Sequence, residues 1–213
     1  MKVAELSELK IEWERFTLGR ISALAFAPRP ATVTEEEVSL TLSRLERLSK
    51  KGFSGGIRGR FLDPPEFSNE ARKRSWLHSR TVLLACLDDV LSRGADPSRL
   101  HLSLSHSVDA AIAVACEALE VGVDLELCSR SISEAVQKRF YFEDEKRLGL
   151  SPVEVWTVKE AAFKAHPHRP GMVISDFEIF EPGRVRCFGT NLDWMLAEYQ
   201  RWTIAFSKSR VEA

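Results

Sequence analysis

The sequence predicts an α+β fold built from two helix-plus-sheet halves. Three features carry that expectation: capped segments with helical apolar spacing, short segments in which apolar and polar residues alternate, and the return of both kinds after Glu120. The 213 residues fit one compact domain or two small halves sharing an interface. At 44% hydrophobic and 29% charged, with 5 Trp and 12 Phe, the chain has enough apolar surface for a core, which excludes disordered and collagen-like classes.

The first helix is announced by Thr34-Glu-Glu-Glu37, a capping box, followed by Val38, Leu42, Leu45 and Leu48 at helical spacing. Glu35 to Glu37 sit at its positive end, Arg47, Lys50 and Lys51 at its negative end, and Gly52 is expected to close it. Residues 52–65, with four Gly and two Pro, are expected to form a loop. Ser68 or Asn69 begins a second helix through Trp76, Leu83, Leu87 and Leu91, with Gly94 as its stop. Leu100, Leu102 and Leu104 alternate with His101, Ser103 and Ser105 in a strand, and the small residues 110–116 form a second strand able to pair with it. Beyond Glu120 come a strand at Val121–Leu127, helices near residues 131–139 and at Pro152–Ala165, and strands near residues 173–180 and 201–207. Glu181-Pro-Gly-Arg184 reads as the turn between two strands.

The charges nearly cancel, 30 Lys+Arg against 31 Asp+Glu, which argues against a wholesale nucleic-acid binder. The balance hides a local excess. From Arg44 to Arg80 ten basic side chains face only four acids, a net of +6 that fits either a polyanionic partner or a solvated helix face with a basic loop. Cys86, Cys116, Cys128 and Cys187 contain no C-x-x-C pair, so neither a zinc ribbon nor a disulfide framework is expected. Carboxylates near the N-terminus take the place of a secretory apolar core, and no apolar run reaches membrane-spanning length, so a cytoplasmic protein without membrane attachment is expected.

Three segments carry chemistry. In Val121-Gly-Val-Asp-Leu-Glu-Leu127 the apolar residues share one face and Gly122, Asp124 and Glu126 the other. Carboxylates two residues apart on a strand lie about 7 Å apart at Cα, within reach of one oxygen-preferring cation such as Mg²⁺, although a solvated outer face explains the same pattern. In the helix opened by Ser151-Pro-Val-Glu154, residues Trp156, Glu160 and Lys164 repeat every four positions along one stripe, with Lys159 on another face. Ser103-Leu-Ser-Leu-Ser-His-Ser107 ends a strand with hydroxyls flanking His106; it can donate to an anionic oxygen, or His106 can be structural, and no Gly-x-Ser-x-Gly elbow supports a serine hydrolase.

Taken in order, these blocks resemble the 4′-phosphopantetheinyl transferase superfamily, within it the single-chain, two-half group that includes the surfactin-synthetase activator. The resemblance rests on Ser103 to Ser107, Gly122-Val-Asp-Leu-Glu126, Arg139-Phe-Tyr-Phe-Glu-Asp-Glu145 and Trp156-Thr-Val-Lys-Glu-Ala-Ala-Phe-Lys164, which span a little under a third of the chain. Lys73-Arg-Ser-Trp-Leu-His-Ser-Arg80 adds a weaker match. The resemblance implies two similar helix-plus-antiparallel-sheet halves related by a pseudo-two-fold, here residues 1–119 and 120–213. It implies Mg²⁺-dependent transfer of the phosphopantetheine arm of coenzyme A, the co-substrate, onto a serine of an apo acyl or peptidyl carrier protein, releasing adenosine 3′,5′-bisphosphate. By the same resemblance Asp124, Glu126 and Glu160 are the metal ligands, and Lys164 contacts the phosphates. His106, with Ser105 beside it, holds a nucleotide phosphate, Arg80 is a candidate for the 3′-phosphate, and Glu145 and Glu160 compete for general base. A complete site within one chain implies activity as a monomer.

The chain departs from the family's pattern at Ser103, where Asn is frequent, and after Lys164, where Ala165-His-Pro-His-Arg-Pro-Gly171 replaces a Gly-rich run. His166 and His168 are expected in an exposed loop. The alternatives are a Mg²⁺-dependent coenzyme A phosphohydrolase and a coenzyme A-binding module without turnover.

Overall fold

Side-chain caps set where the main helices begin. The computed structural model describes residues 3–17, 20–28, 34–50, 53, 61–62, 65–107, 109–168 and 170–209. Helix α1 (Val3–Phe16) and strand β1 (Ser22–Pro28) precede helix α2 (Glu35–Ser49). The Thr34 hydroxyl accepts from Glu37 N at 3.2 Å while the Glu37 carboxylate accepts from Thr34 N at 2.7 Å, satisfying two orphan amides at the helix start. Helix α3 (Glu70–Ser92) is capped by Asn69, and Gly94 follows it at φ +86°. The expected Gly52 stop, and nearly all of the expected loop at residues 52–65, lie outside the described residues.

A 3₁₀ turn (Pro97–Arg99) leads into β2 (Leu100–Ser107), β3 (Ala110–Glu117) and β4 (Val121–Leu127). The helix expected near residues 131–139 shortens to α4 (Glu134–Gln137), whose Ser133 makes no side-chain cap bond. After α5 (Glu143–Arg147) comes α6 (Pro152–Ala165), closed by the Ser151–Glu154 capping box with Pro152 in the first turn. The strand expected near residues 173–180 opens instead with a 3₁₀ turn (Ile174–Asp176), because Asp176 turns back to accept from Val173 N at 2.8 Å. Strands β5 (Glu178–Glu181), β6 (Arg184–Cys187), β7 (Thr190–Tyr199) and β8 (Trp202–Ser209) complete the described chain.

The fold is α+β with two antiparallel sheets, ordered β1-β3-β2 and β4-β8-β7-β6-β5. Strand alternation decides how they stack. Ala111, Ala113 and Ala115 of β3 face a cluster with Leu83, Leu87 and Val90 of α3, whereas Ile112, Val114 and Cys116 face the second sheet. There they meet Val121, Val123 and Leu125 of β4 and Ile204 and Phe206 of β8, with Trp13 of α1 packed on Phe206 at 5.3 Å. The outer face of the second sheet, with Ile179, Val185, Leu192 and Ala205, is covered by Val155, Val158 and Ala162 of α6. The layers therefore run helix, sheet, sheet, helix. No helix among the described residues is long and apolar enough to cross a membrane.

Gly122 sets the distance between α6 and β4. A Cβ at this position would stand 1.9 Å from the Ala161 carbonyl oxygen and 2.8 Å from Ala165 N, so only glycine admits the helix backbone here. Ala161 and Ala165 make that approach, which brings Glu160 and Lys164, one residue before each, to the side chains of β4. We predict that Gly122→Ala, which must displace backbone and not a flexible side chain, costs about 3 kcal/mol or more. Thermal unfolding checks this, with a fall in Tm of roughly 6–12 °C for a chain of this size; a Tm within about 2 °C of the parent would show that α6 does not lean on this glycine.

Candidate active site

The polar face of β4 is not solvated, as its alternation alone allowed; α6 roofs it, and Asp124 is 5% exposed. A buried carboxylate needs compensation. Asp124 Oδ1 accepts from Ser105 Oγ of β2 at 2.7 Å and from Lys164 Nζ of α6 at 2.7 Å. Lys164 Nζ also donates to the Val123 carbonyl at 3.1 Å, and Ser103 Oγ accepts from Val123 N at 2.9 Å. Two serines of the first sheet thus fasten it to the strand of the second that carries the acids. Asp124 Oδ2 is buried without a hydrogen-bond partner.

Glu126 and Glu160, both half-buried, complete the cluster. Burial raises the pKa of each above the usual carboxylate range, and the Asp124 charge raises each further, while Lys164 and Arg130 oppose the shift; Glu126 also feels Glu160. The three acids are electrostatic neighbours. Among the described residues, however, no three His, Cys, Asp or Glu side chains already converge as a metal-ligand set. Two cations stand among them instead: Lys164 on Asp124, and Arg130 paired with Glu126 while its guanidinium carbon lies 5.3 Å from the Trp156 ring centre. The residues fit a divalent cation on two counts. Asp124 presents a partnerless buried oxygen, and all the acids are hard oxygen donors held near one another against their own repulsion.

A pocket of about 190 Å³ opens beside this cluster, lined by Phe61, Arg80, Ser103, Leu104, His106 and Lys164. Arg80, His106 and Lys164, singled out separately in sequence, are brought together there by α3, the end of β2, and α6. Arg80 is 8% exposed, 4.7 Å from the Trp76 ring centre, and desolvation pushes its pKa down to about 10. Ser105, expected next to His106 on a phosphate, instead has its hydroxyl directed to Asp124.

Glu145 lies apart from this cluster. It is 1% exposed, paired at 2.5 Å with the fully buried Lys159, and accepts from Phe142 N at 2.6 Å and Ile179 N at 3.4 Å. Lys159 Nζ also donates to the Phe140 carbonyl at 2.6 Å, and burial lowers the lysine's pKa. Of the two competing candidates for general base, Glu145 is thus the enclosed one: its oxygens serve an ammonium and two backbone amides. His166 is likewise not in an exposed loop; it is buried against Phe177, and its Nδ1 accepts from His168 N at 3.1 Å. His168 is exposed as expected. In the basic segment, Lys50 pairs with Glu46 and Lys73 with Glu70, acids of the segment itself, while Arg44 pairs with Asp88 outside it, which answers one charge of the excess within the fold.

Arg130 went unnoticed in the sequence because its partner, Glu126, sits across a strand end; the i,i+4 spacing was the available signal, but outside a helix it carries little weight. Lys159 lies on a different face of α6 from Glu160 and Lys164, and no sequence spacing links it to Glu145.

Two measurements probe these assignments. Lys159→Met, which leaves Glu145 a buried lone charge, should cost about 3–5 kcal/mol in urea unfolding, and Glu145→Gln added to it should recover most of that loss; an additive double variant would refute a coupled pair. For Glu160, whose folded pKa is raised, the folded state binds the extra proton, so stability falls as pH rises through that folded pKa. Glu160→Gln should therefore raise Tm at neutral pH without divalent cations, with the gain vanishing below the ordinary carboxylate range; a gain independent of pH would contradict the electrostatic origin.

No protein-family model matches the chain, and no curated protein matches it.

Proposed function

We propose that the chain is a Mg²⁺-dependent 4′-phosphopantetheinyl transferase, two pseudo-two-fold-related halves (residues 1–119 and 120–213) forming one site in a cytoplasmic monomer. It would move the phosphopantetheine arm of coenzyme A to a serine of an apo acyl or peptidyl carrier protein and release adenosine 3′,5′-bisphosphate. The observation that carries this reading is the juxtaposition of Asp124, with its partnerless buried oxygen, and a pocket walled by Arg80, His106 and Lys164. Acids beside a cationic pocket suit a ligand in which a diphosphate meets a divalent cation.

Asp124, Glu126 and Glu160 are the residues that would hold the cation, which would supply neutralisation of the charge growing on the departing 5′-phosphate of adenosine 3′,5′-bisphosphate. Lys164, reaching both Asp124 and the pocket, orients the phosphates relative to the acids. Arg80, already stripped of water on the Trp76 face, gives a desolvated charge to a phosphate without further dehydration cost. In the transfer, the carrier serine oxygen forms a bond to the pantetheine-side phosphorus as the bridging P–O bond of the diphosphate breaks. The serine proton needs an acceptor, and with Glu145 enclosed, Glu160, the other candidate for general base, is half-buried with a raised pKa that suits that task.

Incubation with Mg²⁺, coenzyme A and an apo carrier, followed by mass spectrometry, tests the reading: the carrier should gain one phosphopantetheine unit. Cleaved coenzyme A with an unmodified carrier would mean a phosphohydrolase, and no change a binding module. Asp124→Asn and Glu160→Gln should each slow transfer at least about 100-fold, or about 2.7 kcal/mol. Lys164→Ala and His106→Ala should weaken coenzyme A binding by about 10- to 100-fold, the worth of a charge-assisted contact. Titration calorimetry checks this, and unchanged affinity in both variants would remove them from the phosphate site.

A further inference from the structure

Arg130 is placed with more care than a surface charge requires. It follows a turn fixed on both sides, with Arg130 N donating to the Leu127 carbonyl at 2.9 Å and Cys128 N to the Arg201 carbonyl at 2.9 Å. From there the guanidinium reaches back to the Glu126 carboxylate while lying over the Trp156 ring at 5.3 Å. Glu126 and Trp156 belong to different elements, β4 and α6, so one side chain closes the open end of the cluster that Lys164 closes at the other. Its charge favours the ionised form of Glu126 and of Glu160 alike.

The two resident cations are not equivalent. Lys164 is 18% exposed and also bound to the Val123 carbonyl, whereas Arg130 is 38% exposed and has solvent on its outer side. Three carboxylates balanced by two monovalent cations leave one negative charge; adding a divalent cation would leave an excess positive charge in the same half-buried space. One resident must then give way, and the more solvated one does so at lower cost. The aromatic face offers the guanidinium a place to stay once its acid is taken.

We infer that Arg130 is a stand-in cation: it holds Glu126 in place while the site is unloaded and surrenders it to an arriving divalent ion, moving on the face of Trp156 as it does so. This rests on the cation-binding reading of Asp124, Glu126 and Glu160. Arg130 is thus a positioning residue that competes with the ion it prepares for, and the protein's affinity for the free ion is set below what its acids alone would give.

The sign of the effect separates this from an ordinary structural ion pair. A residue that merely held Glu126 in a ligating pose would, on removal, weaken ion binding; a competitor, on removal, strengthens it. The test is calorimetric titration of Mg²⁺ alone, without coenzyme A, into the parent protein, Arg130→Met and Arg130→Lys, each verified as folded by its melting curve. Arg130→Met should bind Mg²⁺ roughly two- to fivefold more tightly, the worth of one partly exposed ion pair, and Arg130→Lys should return towards the parent value. Tryptophan emission should change with Mg²⁺ in the parent, and that change should be lost in Arg130→Met and in Trp156→Phe. Equal or weaker binding by Arg130→Met, with Mg²⁺ still bound, overturns the stand-in role alone. Failure of both the parent and Arg130→Met to bind Mg²⁺ at millimolar concentrations overturns it together with the cation site.

Discussion

A carboxylate 5% exposed between two sheets is tolerable only if cations and donors reach it, and the architecture around Asp124 is arranged by that requirement. Its Oδ1 accepts from one sheet through Ser105 and from the covering helix through Lys164. The Lys164 contact is available only because α6 lies directly on β4, and Gly122 is what lets it. A single absent side chain therefore governs the helix–strand distance, that distance governs whether Lys164 meets Asp124, and Lys164 is also part of the wall of the neighbouring pocket. Stability and site geometry cannot be separated here.

Helix α6 carries two lysines with opposite fates. Lys159 and Glu145 are both sealed, the ammonium on Glu145 and the Phe140 carbonyl and the carboxylate also on Phe142 N. Such a pair specifies how α5 and α6 dock but has no free valence for a ligand. Lys164 and Asp124 are only partly enclosed, and one oxygen of Asp124 lacks a partner. The same residue types five positions apart on one helix, one pair closed and one open, distinguish fixed scaffold from available chemistry more sharply than the motif in which both lysines occur.

Capped helices and alternating strands were legible in the sequence because their causes are local. Thr34–Glu37 and Ser151–Glu154 formed the boxes their spacing announced, and β2 pairs with the small-residue strand β3 that follows it. Helix α1 and strands β1 and β7 were not read. β1 lies against β3, and the face of α1 that carries Leu9 and Trp13 closes the core between the sheets, so their identity depends on residues some ninety or more positions away. At the site, Asp124, Glu126, Glu160 and Lys164 were legible as residue types at meaningful spacing. Their ion partners were not, because Arg130 joins a turn to a strand and Lys159 finds Glu145 through the packing of two helices. His166 is hidden for the same reason: a histidine followed by a proline reads as loop until Phe177 and Cys187 from another part of the chain cover it.

Charge accounting around the site constrains any ligand. On one side lie three acids, two of them with raised pKa because they are buried next to a third. On the other lies Arg80, a guanidinium drawn out of water onto an aromatic face. A wholly anionic ligand would meet the pocket but be repelled by the acids, and a wholly cationic one would suffer the reverse. The lowest-cost occupant carries both signs, anionic groups toward Arg80, His106 and Lys164 and a bound cation toward Asp124, Glu126 and Glu160. Lys164, sitting between the two regions and contacting both, makes them one site: whatever draws its ammonium toward the pocket leaves Asp124 short of compensation, so that on the proposed reading anion and cation would be taken up together.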